Sequence, residues 1–485
     1  MLRFCDEATL TGVRRFWVRY EEAITVEAVS DQRRSFDRAI QRSKSFDKTS
    51  EGQTSLNYTI TRSAAPLASE VVLRKETQAI FDKYWEKGVT GEVSKATNIP
   101  NPLFSCAPAG AYVILQGGLP ILGYHLATAL ASLAATSSTQ ADEDGDKAAR
   151  MVRVAQRQFR EWISAWRMTT GNFTIRFTAT DCFALCHTLQ NNLETGDVTA
   201  HWYRHQLSFS PLVLVGEDYG SGGKAPKRFD VIDASNLADH FGALNILISA
   251  APLLKDAPWA TLFTEILEKG VDSEKEKFDV LLCGQTKTLS TLLGVSPVEY
   301  WTNATVVSAV DQYIFSESLN ASAMKTGKIT GIQARISWKA SHQRTSSAPS
   351  KGTLAVDASA LADFIYMIYQ YMFRNEDVQW LQKLSLSPNK QAMLDSAYPK
   401  YHRGTFVALI KAVVKSTEAN REELCSSLLR MISNNKSQVF ASNTLQSLSL
   451  EMSKQGLHTA EVSSGSMETP TQDRDGNTSF SVASK

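Results

Sequence analysis

The sequence predicts an α/β fold organised around a largely parallel sheet, with helical segments added at both ends. Three observations carry that expectation. Between residues 173 and 293, short apolar runs alternate with stretches of helical period. Several of the runs close on a polar residue or a turn, at Asp181, Asp233 and Cys283-Gly284. The turns into the next helix are short, as repeated strand-turn-helix units require. At 485 residues, 43% of them hydrophobic and 21% charged, the chain has the apolar surface to bury a core of more than one packed region.

Along the chain, Leu10, Val13, Trp17, Tyr20 and Ile24 recur at helical spacing and predict an N-terminal helix. Tyr112 to Leu115 reads as a buried strand and Ile121 to Ala134 as a helix. A further helix from about Asp146 to Arg167 sets Val152, Ala155, Phe159, Trp162 and Trp166 against a solvated face of Arg150, Arg153, Arg157 and Arg160. Phe173, Ile175, Phe177 and Ala179 alternate with polar residues as in a half-buried strand ending at Asp181, and Cys182 to Gln190 resumes a helix. Leu212 to Val215 predicts a second strand and Phe229 to Ile232 a third, ending in Asp233. One helix then carries Leu237, Phe241, Leu244 and Ile248, with Asn236 as its N-cap and Asp239 three residues on. Phe278 to Leu282 completes the strand set, before a helix through Leu289, Leu292 and Leu293.

The resulting plan is a helical region over 1–95 with a flexible loop at 43–55, an α/β core over 96–305, a mainly helical region over 306–460 and a disordered tail over 461–485. Further polar loops are expected at 136–147, 217–227 and 343–352.

Charge excludes some functions. With 51 Lys and Arg against 50 Asp and Glu, the protein has no global field with which to gather nucleic acid or an anionic membrane. The charge-free stretch 96–141 is broken by Gln116, Gly117-Gly118, Pro120 and His125, so it predicts buried elements rather than a lipid-facing span. Six cysteines without a C-x-x-C pair fit a reducing compartment, and the expectation is a cytoplasmic protein with no metal centre.

Candidate sites follow from strand ends. In open parallel sheets, ligands sit beyond the carboxyl ends of the strands, where loops converge and helix N-termini offer unpaired N–H groups. Asp181 and Asp233 occupy such ends and could bond a ribose hydroxyl or an adenine amine, with Asn236, Asp239 and His240 lining the same crevice. Each also has a purely local explanation, because Asp and Asn before a helix commonly cap it. Gly220-Ser-Gly-Gly-Lys224 fails as a phosphate loop, since Asp218 stands where its first glycine belongs and Ala225-Pro226 follows the lysine. Cys182, Cys186 and His187 cannot all share one side of a helix, and core cysteines are the better reading.

Several segments occur in order between residues 101 and 406: Asn101-Pro-Leu-Phe104 with Gly118 to Leu126, Phe177-Thr-Ala-Thr-Asp-Cys-Phe-Ala-Leu-Cys186, Phe229 to Ile248 followed by Ala250-Ala-Pro-Leu-Leu254, Leu292 to Ala304, Tyr369-Gln-Tyr-Met-Phe373 and Tyr401-His-Arg-Gly-Thr-Phe406. Together they resemble the uncharacterised domain of fungal proteins that carry MYND zinc fingers, a domain related to the N-terminal domain of dynein axonemal assembly factors. The resemblance implies a Rossmann-like, methyltransferase-like fold, with Asp181 near an adenine-recognising position and Asp233 to His240 near a substrate crevice. S-adenosylmethionine is the cofactor it would imply. The paired cysteines of the MYND finger are absent, and the glycine-rich turn of a methyltransferase has no match here. The expectation is therefore a non-catalytic protein that works through protein partners, the alternative being a methyltransferase with a divergent cofactor loop.

Overall fold

The computed structural model describes residues 2–22, 80, 83, 124, 147–204, 210–234, 237–268, 274–302, 332–340, 354–386, 400–435 and 441–457. In chain order the elements are β1 (Leu2–Phe4), α1 (Glu7–Glu22), α2 (Lys147–Thr169), β2 (Ile175–Phe177), α3 (Cys182–Thr195), β3 (Thr199–Tyr203), β4 (Pro211–Val213), α4 (Gly216–Tyr219), β5 (Val231–Asp233), α5 (Leu237–Phe241), α6 (Ala243–Ala250), β6 (Thr261–Glu268), α7 (Glu274–Leu281), α8 (Thr286–Leu293), β7 (Val295–Pro297), α9 (Val298–Thr302), β8 (Ile332–Ala340), α10 (Ala358–Met372), α11 (Val378–Ser385), α12 (Arg403–Ser416), α13 (Arg421–Asn434) and α14 (Ala441–Lys454). The chain is a mixed helix and sheet protein divided into two compact units that interleave along the sequence. No helix among the described residues is long and apolar enough to cross a membrane.

The first unit spans residues 1–239, 252–276 and 297–339 and holds the small sheets. β1 pairs in parallel with β2 (Leu2 opposite Ile175, Phe4 opposite Phe177), and β3 pairs antiparallel with β4. In a third sheet, β5 is parallel to β6, and β8 returns antiparallel on the other side of β6. Between them lies a buried cluster of Cys5, Leu189, Leu212, Leu214, Tyr219 and Leu253, against which Phe229 and Ile232 also pack. The third sheet is two-faced, as period-two sequences dictate. Leu262, Thr264, Ile336 and Trp338 are buried on one side, with Trp338 Nε1 donating to Thr264 Oγ1 at 2.9 Å. Phe263, Glu265, Arg335 and Ser337 occupy the other.

The second unit, residues 240–251, 277–296 and 340–485, is mainly helical among its described residues. Its core brings Tyr369 and Phe373 of α10 and its end against Phe406 of α12, with ring centroids 4.8–6.3 Å apart. Arg403 lies over the Phe373 ring at 3.7 Å and bonds Glu376 Oε1 at 2.6 Å, so a charged helix start is drawn onto the aromatic core without losing its partner.

Among the described residues the strands form small sheets, and the expected runs do not all fall in one of them. The run ending at Asp181 belongs to β2 in one sheet, and the run ending at Asp233 is β5 in another. Phe278 to Leu282, expected as a strand, lies in and just after helix α7. Phe278 and Leu282 are buried while Val280 is 53% exposed, and Leu282 N–H donates to Phe278 O at 2.9 Å, which is a helical period and bond. An apolar run of five residues cannot discriminate the two states; the polar Glu274 to Lys277 turn in front of it supplies the extra helical length. Leu212 to Val215 does begin as a strand, but an antiparallel one. The single helix expected through Leu237 and Ile248 is broken by Gly242 at φ +81°, where a Cβ would strike the Tyr401 ring.

The polar loop expected at 217–227 is closely folded. It opens with the helical turn α4, buries Asp218, Tyr219 and Ala225, and returns Ala225 N–H to Asp218 O at 2.9 Å. Gly223 permits that fold, since a Cβ there would stand 2.2 Å from the Asp218 carbonyl oxygen. The strand at 112–115, the helix at 121–134, the loops at 43–55 and 343–352, most of the loop at 136–147 and the tail at 461–485 lie outside the described residues, Tyr124 excepted.

Candidate functional site

Asp181 is the N-cap of α3. One of its carboxylate oxygens accepts from Ala184 N–H at 2.8 Å, and its own N–H donates to Arg204 O at 2.8 Å. That is a helix-starting role, and it spends the side chain on backbone that the helix leaves unpaired. Asp233 ends β5 as expected. Its Oδ2 accepts from Arg335 Nη2 at 2.7 Å, and the pair is part-exposed, at 44% for Asp233 and 22% for Arg335.

His240 is exposed in the last turn of α5, with its ring 6.4 Å from that of Phe241. Asp239 lies in the same short helix, and Asn236 falls outside the described residues. The strands that precede Asp181 and Asp233 belong to different sheets, and each carboxylate is tied to its own neighbours.

What Asp233 does join is a polar patch on the third sheet. Backbone register sets Asp233 opposite Phe263, Phe263 opposite Ser337, and Glu265 opposite Arg335. Arg335 is shared between Asp233 and Glu265, the latter at 3.5 Å, and lies 4.3 Å over the Phe263 ring. From α9, Glu299 Oε2 accepts Ser337 N–H at 2.9 Å. Arg335, Ser337 and the strand carrying them were missed in the sequence. The signal was available, because Ala334, Ile336 and Trp338 alternate with Arg335, Ser337 and Lys339.

A second polar cluster, also missed, closes the first sheet. Asp6 is 2% exposed and caps α1. It accepts from Thr9 N–H at 2.8 Å, Thr9 Oγ1 at 2.6 Å and Thr178 Oγ1 at 3.1 Å, and is ion-paired with Arg204. Burial works to raise the Asp6 carboxyl, yet the Thr9 hydrogen bonds and the Arg204 guanidinium outweigh it and hold the group below the usual carboxylate range. Beside it, Asp218 is paired with Arg3 at 2.9 Å and Arg176 at 3.4 Å. These charges stitch together residues more than 170 positions apart, which is a structural task.

The described cysteines differ in exposure. Cys182 is exposed, whereas burial drives Cys186 up to about 12 and Cys283 up to about 11. Among the described residues, no group of three or more His, Cys, Asp or Glu is placed to hold a metal ion.

Fold and contacts together describe a mixed helix and sheet protein of two compact units, in which Asp181 caps a helix and Asp233 is paired with Arg335. Compared with protein-family models, curated proteins and solved structures, the chain matches none of them.

Proposed function

We propose that the chain is a non-catalytic interaction or assembly-factor-like protein, derived from a Rossmann-like, methyltransferase-like ancestor and working in the cytoplasm through protein partners. One observation carries the reading. The two carboxylates that would hold a nucleoside are committed elsewhere: Asp181 to the start of α3 and Asp233 to Arg335. A cofactor would have to displace bonds the fold already uses, at a cost with no evident return.

The surface gives further support. On α2, Phe159, Trp162 and Trp166 share one helical stripe and remain 45–50% exposed, although Trp162 stacks on Tyr124 and Trp166 on Phe173. Large part-exposed aromatics in a row suit a protein-binding surface better than a solvated one.

The test is a calorimetric titration of the full chain with S-adenosylmethionine. The expected result is no heat of binding at micromolar concentrations. Micromolar binding that disappears in Asp181→Ala or Asp233→Ala, with folding retained by circular dichroism, would establish the cofactor site and overturn the scaffold.

A further inference from the structure

Helix α2 is anchored in its first turns and open in its last ones. Met151, Val152, Val154 and Ala155 are buried, but from Gln156 to Met168 every residue is exposed or half-exposed, all the way round the helix. That stretch is roughly 20 Å long. The apolar stripe of Met151, Val152 and Ala155 does not stop where the burial stops. Phe159, Trp162, Ile163 and Trp166 continue it at the i, i+3, i+4 and i+7 positions by which a helix anchors in a groove. Trp162 stacks on Tyr124 with ring centroids 5.0 Å apart and Trp166 on Phe173 at 5.6 Å, so both indoles are held in place while still part-exposed. Rings fixed before contact lose little side-chain freedom on binding.

The other side of α2 selects the partner's charge. Over Lys147–Thr169 six basic residues stand against one acidic residue, Glu161, which pairs with Arg157 at 4.0 Å. Arg153, Arg157, Arg160 and Arg167 are all exposed, and at 3.6 residues per turn their centre lies roughly 125° around the helix from that of the four anchors. Arg157 is nearly opposite the rings. A bilayer would take in the rings and leave Arg157 directed away from its headgroups, and a chain with 51 basic and 50 acidic residues has no long-range pull towards one. A groove whose walls rise around the helix meets both sides. Its floor takes the rings, and carboxylates on its rim answer the guanidiniums.

We infer that residues 153–168 of α2 form a ready-made docking helix for a partner protein of the calcium-sensor class, whose paired helices open on calcium to expose a methionine-lined, acid-rimmed groove. Phe159, Trp162 and Trp166 enter the groove, where methionine sulfur packs well against aromatic rings. The four arginines pair with carboxylates along its edge. The open stretch of α2 is long enough for one such groove and not for two. The inference rests on the reading of the chain as an interaction protein and supplies the chemistry of its partner.

The test is a calorimetric titration of the full chain with calcium-loaded calmodulin as the probe. Saturable binding is expected with a dissociation constant of about 0.1–10 μM, the range of small transient interfaces, and it should vanish when EGTA removes the calcium. Trp162→Ala should weaken binding by about tenfold or more, and so should Arg157→Glu combined with Arg160→Glu. Both variants change exposed positions, and either serves, once circular dichroism shows it folded, should the other fail to fold. Trp301→Ala removes a comparably exposed indole elsewhere in the chain and should bind as wild type does. No saturable binding in calcium overturns the inference, as do binding that survives EGTA, unchanged affinity in the folded α2 variants, or an equal loss in Trp301→Ala. Sedimentation with phosphatidylserine and phosphatidylcholine vesicles covers the other occupant: binding to vesicles that depends on Trp162, without binding to calmodulin, would assign α2 to a membrane surface and overturn the inference too. Failure here is distinct from failure of the scaffold reading, because these variants leave Asp181 and Asp233 intact and S-adenosylmethionine takes no part in the titration.

Discussion

Asp6→Ala tests the difference between a carboxylate built into the fold and one resting on its surface. The native Asp6 side chain is nearly fully buried, accepts three hydrogen bonds from Thr9 and Thr178, and neutralises Arg204, itself 16% exposed at the side chain. After truncation Arg204 keeps Ala179 O at 2.8 Å and Thr9 Oγ1 at 3.0 Å but has lost its counter-charge. Breaking a buried pair by removing one partner costs about 3–5 kcal/mol, a figure that here includes the helix cap, worth roughly 0.5–2 kcal/mol alone. Asp233→Ala also deletes an arginine's partner, but Asp233 is 44% exposed and Arg335 retains Glu265, so a loss of about 0–1 kcal/mol is expected. Urea unfolding at neutral pH, followed by circular dichroism, compares the two variants directly. Equal losses, or a loss below about 1 kcal/mol for Asp6→Ala, would refute the assignment of the buried cluster as the clasp of the first sheet.

Further outcomes follow from the same structure. The Asp6 carboxyl is held low in the folded state, so its stabilisation is present above the unfolded value of about 3.9 and is lost as pH falls through the folded value. The stability gap between wild type and Asp6→Asn should accordingly shrink in urea titrations below roughly pH 4. Asp181→Ala should lower stability by about 0.5–2 kcal/mol through its lost cap, and Asp181→Asn or Asp181→Ser should recover most of it. Gly242→Ala should destabilise the second unit, because it adds a Cβ at φ +81° against the Tyr401 ring; a melting temperature equal to wild type would contradict this geometry. In a maleimide time course on native protein, the exposed Cys182 should label ahead of the other described cysteines, while Cys5, Cys186, Cys283 and Cys425 wait for unfolding, since burial pushes their thiols up, the last three to about 12, 11 and 11 respectively.

Most of the longer helices are legible in local signals, whereas the short run at 278–282 and the long-range strand pairing are not. Helix α3 announces itself through Asp181 and the apolar residues behind it, and α10, α12 and α13 through regular stripes such as Leu361, Ile365, Ile368 and Met372. These depend on neighbours three or four residues away. Strand partners do not. That β1 joins β2 rests on pairing Leu2 with Ile175, and that β5 and β2 belong to different sheets is a statement about packing that neither run encodes alone. The candidate site divides in the same way. Asp233 was visible as the end of an apolar run. Its partner Arg335, 102 residues later, depended on placing β8 beside β6, although the alternation that makes β8 a strand is plain in its residues. Asp6 and Arg204 show the extreme case, since nothing near either residue foretells a pair 198 positions apart.

The two faces of the third sheet satisfy their polar atoms unequally. On the buried face even a difficult group is answered: the Trp338 indole, fully enclosed, donates to Thr264 at 2.9 Å. The same strand, turned over, leaves Arg335 Nε and Ser337 Oγ unmatched, with Glu299 Oε1 beside them. Each unmet buried group costs about 1–3 kcal/mol, so three approach a sizeable part of the roughly 5–15 kcal/mol that holds a typical domain folded. Replacing Ser337 by alanine would remove one such loss, and a chain selected only for stability would gain by it. Ser337→Ala should therefore unfold in urea at the same or a higher midpoint than wild type, and a loss above about 1 kcal/mol would contradict the reading of its hydroxyl as unpaired.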